Sequence, residues 1–375
     1  MSEFSEVLKR GSVDLVPERE ASVKRDDCAT WRIGDEMKKL NENNAKTASR
    51  LSVAPMMDWT DKCCHLFHRE VSRSALLYTE MVTAPAILNG KRDQLLDFHA
   101  AEHPVALQLG GSDPAELAQA TRIAGDWGYD EINLNCGCPS DRVQSGAFGA
   151  VLMKTPDLVA DCVAAMMSEA RVEVTVKCRI GVDDQEPREV LPRFLEAVSK
   201  AGVTRFTVHA RKAWLQGLSP KDNREIPPLD YDLVHQMKRD FPHLHLSING
   251  GVGTLEQAKE LLGQGLDGVM IGRAAYHEPF NILGQADALY GDHGLSRDPF
   301  EIADIMRAHI AAHMDAGGKL HHFTRHMLGL FHGRPGARQW KRIISEGAPR
   351  NDLTTYDDAL KAVRTATEIA ANTAC

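Results

Sequence analysis

The sequence predicts a (β/α)8 barrel followed by a small C-terminal helical domain. Three observations carry this expectation. Eight short apolar runs recur between Leu51 and Arg273, each followed by a helix-like stretch. The first run ends in Pro55-Met56-Met57-Asp58, not in the G-x-G-x-x-G turn that would open a doubly wound dinucleotide-binding sheet. Strand-like runs stop near Pro299, where helical patterns take over.

Taken in order, residues 1–50 hold ten acidic and ten basic side chains and few large apolar residues in series. This composition predicts a disordered leader over 1–47. It is too acidic for a transit peptide and has no secretory apolar region; Met37 offers an alternative start. The barrel is expected over 48–298. Its strands fall at 51–56, 76–81, 104–110, 131–136, 172–180, 205–210, 244–250 and 268–273. Helices are signalled by Asp113-Pro114, an N-cap followed by proline at the first helical position, and by Thr155-Pro156 and Thr254 in equivalent places. The helical domain is expected over 299–375, with amphipathic helices at 300–316 and 352–372. Between them, 319–342 holds six Lys/Arg, four His and no acid, which predicts one basic face.

A hydrophobic content of 43% with 26% charged residues places the chain among soluble globular proteins. No apolar run approaches the ~20 residues of a membrane helix. The net charge of −8 argues against nucleic acid as a partner, yet the basic residues cluster, so the total is a poor guide. Eight cysteines in a chain this long do not suggest a disulfide framework. A reducing cytoplasm is the expected location.

In a barrel of this kind the active groups stand at the C-terminal ends of the strands. Strand one offers Pro55, Met56 and Met57; strand three Gln108; strand four Asn135 and Cys138; strand five Lys177 and Arg179. Strand six offers His209, strand seven Asn249-Gly250-Gly251 and strand eight Gly272-Arg273. The octapeptide Asn133-Leu134-Asn135-Cys136-Gly137-Cys138-Pro139-Ser140 carries the most information. Cys138, held in a turn before Pro139, can give a proton, attack as a nucleophile or bind a metal. A zinc site would need a second Cys or His pair, and Cys63-Cys64-His65 is poorly placed to complete one, so no metal is expected. Cys136 is better suited to packing. The glycines after strands seven and eight, with the forked cation of Arg273, suit a phosphate. The other reading of Gly250-Gly251 is a bare tight turn; either glycine turn alone is a weak signal, and two in register are a stronger one. Lys177, in an otherwise apolar strand, needs an anionic or carbonyl partner if it points inward, and a flavin ring offers both; pointing outward it would be a surface lysine. Gln108 suits the polar edge of the same ring. His209 is open to three readings: a flavin contact, a base or a core histidine.

Together these residues resemble the tRNA-dihydrouridine synthases. The likeness spans about 51–350 and rests on APMMDWTD (54–61), LQLGG (107–111), NLNCGCPS (133–140), VKCRIG (176–181), INGG (248–251) and IGRA (271–274). The segment HARKAWLQGLSPKDNREIPPLDYD (209–232) is similar to the bacterial DusA branch, which acts on D-loop uridines at positions 20 and 20a. The resemblance implies a monomeric enzyme in which NADPH reduces bound FMN. The target uridine of tRNA is flipped into the barrel mouth, hydride passes from flavin N5 to uracil C6, and Cys138 protonates C5. A thiol with a reference pKa of ~8.5 suits an acid at neutral pH. Pro55, Met56 and Met57 would line the flavin, and Gln108, Lys177 and His209 would contact it. Asn249, Gly250, Gly251, Gly272 and Arg273 would hold its ring edge and phosphate. Asn135 would touch the target nucleotide, and Lys221, Arg224, Arg338 and Lys341 would contact the tRNA. The family motif often has a small residue where Cys136 stands. Two other readings compete. A small-molecule flavin reductase of dihydroorotate or dihydropyrimidine type would need no basic helical domain. A non-catalytic tRNA-binding or folding factor would need neither the flavin residues nor Cys138.

Overall fold

A computed structural model describes residues 47–140, 148–292 and 297–373. All of the leader but Thr47, with Met37 and Cys28, lies outside the described residues, as does Cys375.

Eight parallel strands close into a barrel in sequence order: β1 (Leu51–Val53), β2 (Leu76–Thr83), β3 (Val105–Gly110), β4 (Glu131–Cys136), β5 (Glu173–Arg179), β6 (Arg205–His209), β7 (His245–Asn249) and β8 (Gly268–Ile271). The seam is the β1–β8 pair, with Ser52 opposite Met270. Strand alternation divides the side chains cleanly. Outward residues such as Leu107, Ile132, Leu134, Val176, Phe206 and Ile248 join the helices in one continuous apolar core. Inward residues differ around the circle. Ala54, Leu76, Tyr78, Ala106 and Met270 form a small apolar cluster on the β1–β2–β8 side. Glu131, Asn133, Thr175, Arg205, Thr207 and Ser247 fill the other side with buried polar groups.

Helices fall where the start signals place them. Asp113 caps α4 (Pro114–Gly125) by accepting from Glu116 N at 2.9 Å, the preceding outer helices being α1 (Lys62–Val71), α2 (Ala84–Asn89) and α3 (Arg92–Leu95). Thr155 stands at the cap position of α5 (Pro156–Glu169) but makes no capping bond, because its hydroxyl donates back to Leu152 O at 3.4 Å. The ring continues with α6 (Pro187–Lys200), α7 (Tyr231–Asp240) and α8 (Leu255–Gly263), the last capped by Thr254. Short helices α9 (Arg273–His277) and α10 (Pro279–Leu283) follow β8.

Beyond the barrel lie α11 (Pro299–Asp315), α12 (Leu320–Thr324), α13 (Ala337–Gly347) and α14 (Thr354–Thr373). Trp340 is their pivot. It is fully buried, meets Phe331 and Tyr356 edge-on at 5.1 and 5.4 Å, and donates its indole N–H to Met327 O at 3.0 Å. These helices are tied to α1 through the Arg325–Asp61 and Arg297–Glu70 ion pairs, with His326 Nε2 3.1 Å from Asp61 and His309 Nε2 3.5 Å from Glu70.

Candidate active site at the barrel mouth

The C-terminal strand ends bring together residues far apart in sequence. Asn135 and Cys138 leave β4, Lys177 and Arg179 end β5, and His209 ends β6. Register places Asn135 beside Lys177, Arg179 beside His209, and His209 beside Asn249. The open question about Lys177 is thereby answered. Its neighbours Val176 and Cys178 face the helices, so Lys177 faces into the barrel.

Cys138 is partly buried, with Sγ 3.4 Å from Ser140 Oγ, and its turn is held by Asn135 Oδ1, which accepts from the Gly137 and Cys138 backbone N–H groups at 2.9 Å each. Cys136 points the other way, into the core beside Cys178, where burial pushes its thiol pKa well up. The six described cysteines are all free thiols. Among the described residues no group of three or more His, Cys, Asp or Glu is arranged to hold a metal ion.

The mouth is strongly cationic. The Lys177 ammonium makes no hydrogen bond or ion pair among the described residues, and loss of water, with Arg179 nearby, depresses its pKa to about 8. Arg179 is buried without a carboxylate. Its guanidinium donates instead to three carbonyls, Gly137 at 3.0 Å, Lys212 at 3.0 Å and Asn223 at 2.9 Å. It thus clamps the Cys138 turn to the β6 loop that carries Lys221 and Arg224. Burial lowers its pKa to about 10. Lys177, Arg179 and Arg224 all lie within electrostatic reach of Cys138. His209 is kept neutral by burial and by these cations, which together push its pKa well below the usual imidazole range.

The remaining residues complete the ring. Gln108 is buried and hydrogen-bonded on both sides, donating to Asn133 and accepting from Asn135 at 2.8 Å each. Asn249 donates to Met270 O at 2.8 Å, joining β7 to β8. Gly250, at φ 106°, lies against the His209 ring; a Cβ there would come within 2.4 Å of Cδ2. Gly251, at φ 75°, meets Leu229 in the same way. The sequence suggested that these glycines open the backbone to an anion; sterically they first make room for His209 and Leu229. Gly272 differs, since a Cβ would only touch Ala54 and the Met56 thioether at 3.5 and 3.6 Å. The β1 and β8 loops are therefore neighbours there. Pro55 and Met56 are partly buried and Met57 is exposed. Arg273 is ion-paired with Glu225, a partner from the β6 loop that the sequence did not point to. Arg211 Nε is buried with no hydrogen-bond partner among the described residues.

Arg338 and Lys341 stand apart from this ring, exposed on α13. Lys341 nevertheless reaches the electrostatic field of His277, whose pKa is lowered by burial and then by Arg273 and Lys341. The basic face of α13 thus adjoins the β8 loop.

Comparison with known proteins fits this arrangement. The protein of Vibrio parahaemolyticus named tRNA-dihydrouridine(20/20a) synthase is 57% identical over 314 residues, covering 83% of this chain and 96% of its own. The Escherichia coli K12 protein of the same name is 55% identical over 339 residues, covering 88% and 97%. Among solved structures, an old yellow enzyme homologue from Zymomonas mobilis matches at 14% identity and a TM-score of 0.47, covering 68% of this chain and 91% of its own, a likeness too distant to bear on function. The profile described as dihydrouridine synthase (Dus) matches residues 52–368, and the chain belongs to that family.

Proposed function

We propose that the protein reduces uridines at positions 20 and 20a of tRNA to 5,6-dihydrouridine, with FMN as its bound cofactor and NADPH as reductant. The observation that carries this reading is near-full-length identity of 57% and 55% to proteins named for that reaction. A cytoplasmic monomer is the accompanying expectation.

The residues at the mouth suit a flavin mononucleotide. Lys177 offers an ammonium without an anionic partner, Arg211 a buried N–H without an acceptor, and Gly272 a surface free of side chain beside Met56. Lys177, Gln108 and His209 would meet the ring, with Pro55, Met56 and Met57 against its face. Asn249, Gly250, Gly251, Gly272 and Arg273 would hold its edge and phosphate. Bound and reduced, the flavin would supply hydride to the uracil ring. Cys138 would then give its Sγ proton to C5, and the thiolate so formed would lie within reach of Lys177, Arg179 and Arg224, which favour negative charge there. Asn135 would touch the target nucleotide, while Lys221, Arg224, Arg338 and Lys341 would grip the tRNA backbone.

The test uses the purified protein. A flavin spectrum, NADPH oxidation that depends on tRNA, and dihydrouridine mapped at positions 20 and 20a are the expected results. NADPH oxidation driven by free pyrimidines and indifferent to tRNA would favour the small-molecule reductase instead.

A further inference from the structure

A file of buried polar side chains runs through the barrel from its floor to the Cys138 turn. At the floor, Arg205 donates to Glu131 at 2.6 Å and to Glu173 at 3.1 Å. Glu131 Oε1 accepts from Tyr78 OH at 2.6 Å and from the Thr175 hydroxyl. Thr175 Oγ1 accepts from Asn133 Nδ2, Asn133 Oδ1 from Gln108 Nε2, and Gln108 Oε1 from Asn135 Nδ2, each at 2.8 Å. Asn135 Oδ1 accepts the two backbone N–H groups of the turn. None of Arg205, Glu131, Thr175, Asn133, Gln108 and Asn135 is more than 8% exposed.

Both ends of this file fix its direction. A backbone N–H can only donate, and a carboxylate facing an arginine can only accept. Between them stand a hydroxyl and three carboxamides. Turning any one of the amides over would set donor against donor and acceptor against acceptor in a dry interior, where each mismatch is costly. With every amide set one way, Asn135 spends its oxygen on the turn and keeps one Nδ2 hydrogen for whatever occupies the mouth.

We infer that Glu131, Thr175 and Asn133, none of which lies at the mouth, are positioning residues that hold the Cys138 turn and the Asn135 amide in their working orientation. This rests on the proposed reduction of tRNA uridine with Cys138 as proton donor. They act through Gln108 and Asn135, and Arg205 keeps the foot of the file in its accepting state.

Thr175→Val cuts the file at nearly constant volume and leaves the Arg205–Glu131 pair in place, whereas Thr175→Ser keeps the hydroxyl. Single-turnover reduction of tRNA by the pre-reduced holoprotein is expected to slow about tenfold or more in Thr175→Val and to recover in Thr175→Ser. Flavin content, flavin reduction by NADPH and tRNA affinity should stay within about twofold of the parent. The turn is also read without turnover, by the alkylation rate of Cys138 followed by peptide mass spectrometry. That rate should change about threefold or more in the valine variant and return in the serine variant. Parent-like values of both quantities in Thr175→Val would overturn the inference. So would a serine variant as impaired as the valine one, since Thr175 would then act by packing. Should Thr175→Val not fold, Glu131→Gln, which keeps the shape but replaces one of the two carboxylate acceptors by an N–H donor, carries the same expectations and is overturned by the same result. A parent protein that reduces no tRNA uridine would sink the functional reading, while the alkylation rates would still judge the file.

Discussion

At the scale of single residues, the two cysteines of the β4 turn illustrate how one position changes chemistry. Cys136 faces outward from the strand into packed apolar side chains, and Cys138, two residues on, stands in the cationic mouth. Cys138→Ala is expected to lower tRNA turnover at least about a hundredfold, the usual contribution of a general acid, while flavin stays bound. Cys136→Ala should cost some thermal stability and little turnover. Comparing kcat and flavin content in the two variants decides the matter; the assignment fails if only Cys136→Ala is inactive. Lys177 makes a second prediction. Burial, with Arg179 nearby, depresses its ammonium to about 8, and an anionic ligand beside it should raise that pKa again. The sign follows: charged Lys177 favours the ligand below about pH 8, and this contribution is lost as pH rises past that value toward the pKa of the loaded state. FMN binding to the apoprotein should therefore weaken with rising pH above about 8. Lys177→Met should bind more weakly throughout and lose that slope. A titration by fluorescence quenching in which the methionine variant keeps the parent's pH dependence would refute the contact.

At the scale of elements, the turns after β7 and β8 look alike in sequence and differ in the fold. Gly250→Val would drive a branched side chain into His209, on a backbone at φ 106° that such residues resist. Gly272→Ala meets only ordinary contacts. Flavin absorbance retained after gel filtration is expected to fall sharply for Gly250→Val and modestly for Gly272→Ala. Equal retention in both would remove the His209 packing argument. These elements also show where the sequence can be read and where it cannot. All eight strands are legible, because their outward residues form repeated apolar runs; only the ends shift, β1 stopping at Val53 and β8 at Ile271. The inward face of β5 is not legible from alternation, since a lysine fits either side until the partners of Val176 and Cys178 are known. The file below Cys138 leaves no local signal at all. Its bonds join residues 25, 27 and 42 positions apart, and amide direction is a property of the whole network. The Arg273–Glu225 pair is hidden for the same reason, and the stretch 319–342 announces its charge without announcing α12 and α13.

At the scale of the molecule, the proposed function requires a chain of net charge −8 to approach a polyanion. Of the six Lys/Arg in 319–342, two are spent within the protein: Arg325 pairs with Asp61, and Arg334 pairs with Asp298 at 3.3 Å while lying over the Phe280 ring. Trp340, Ile344 and Gly347 turn one side of α13 into the helical core. The other four, Lys319 before α12 and Arg338, Lys341 and Arg342 on α13, are left exposed, with no ion pair to any described residue. Because Lys341 reaches His277 and Arg273 lies at the mouth, this face continues the cationic ring of Lys177, Arg179 and Arg224. A tRNA held there would be gripped by its backbone, and sequence would be read mainly at the flipped uridine. Charge reversal of Arg338 and Lys341 is therefore expected to weaken tRNA binding about tenfold or more at moderate salt. It should also flatten the plot of log affinity against log salt by roughly one to two, since fewer counterions are released. Flavin content and NADPH oxidation with a small acceptor should be unchanged, because neither residue touches the mouth ring. An affinity that keeps both its value and its slope across a salt series would take α13 out of the tRNA-binding surface and leave the grip to Lys221 and Arg224 alone.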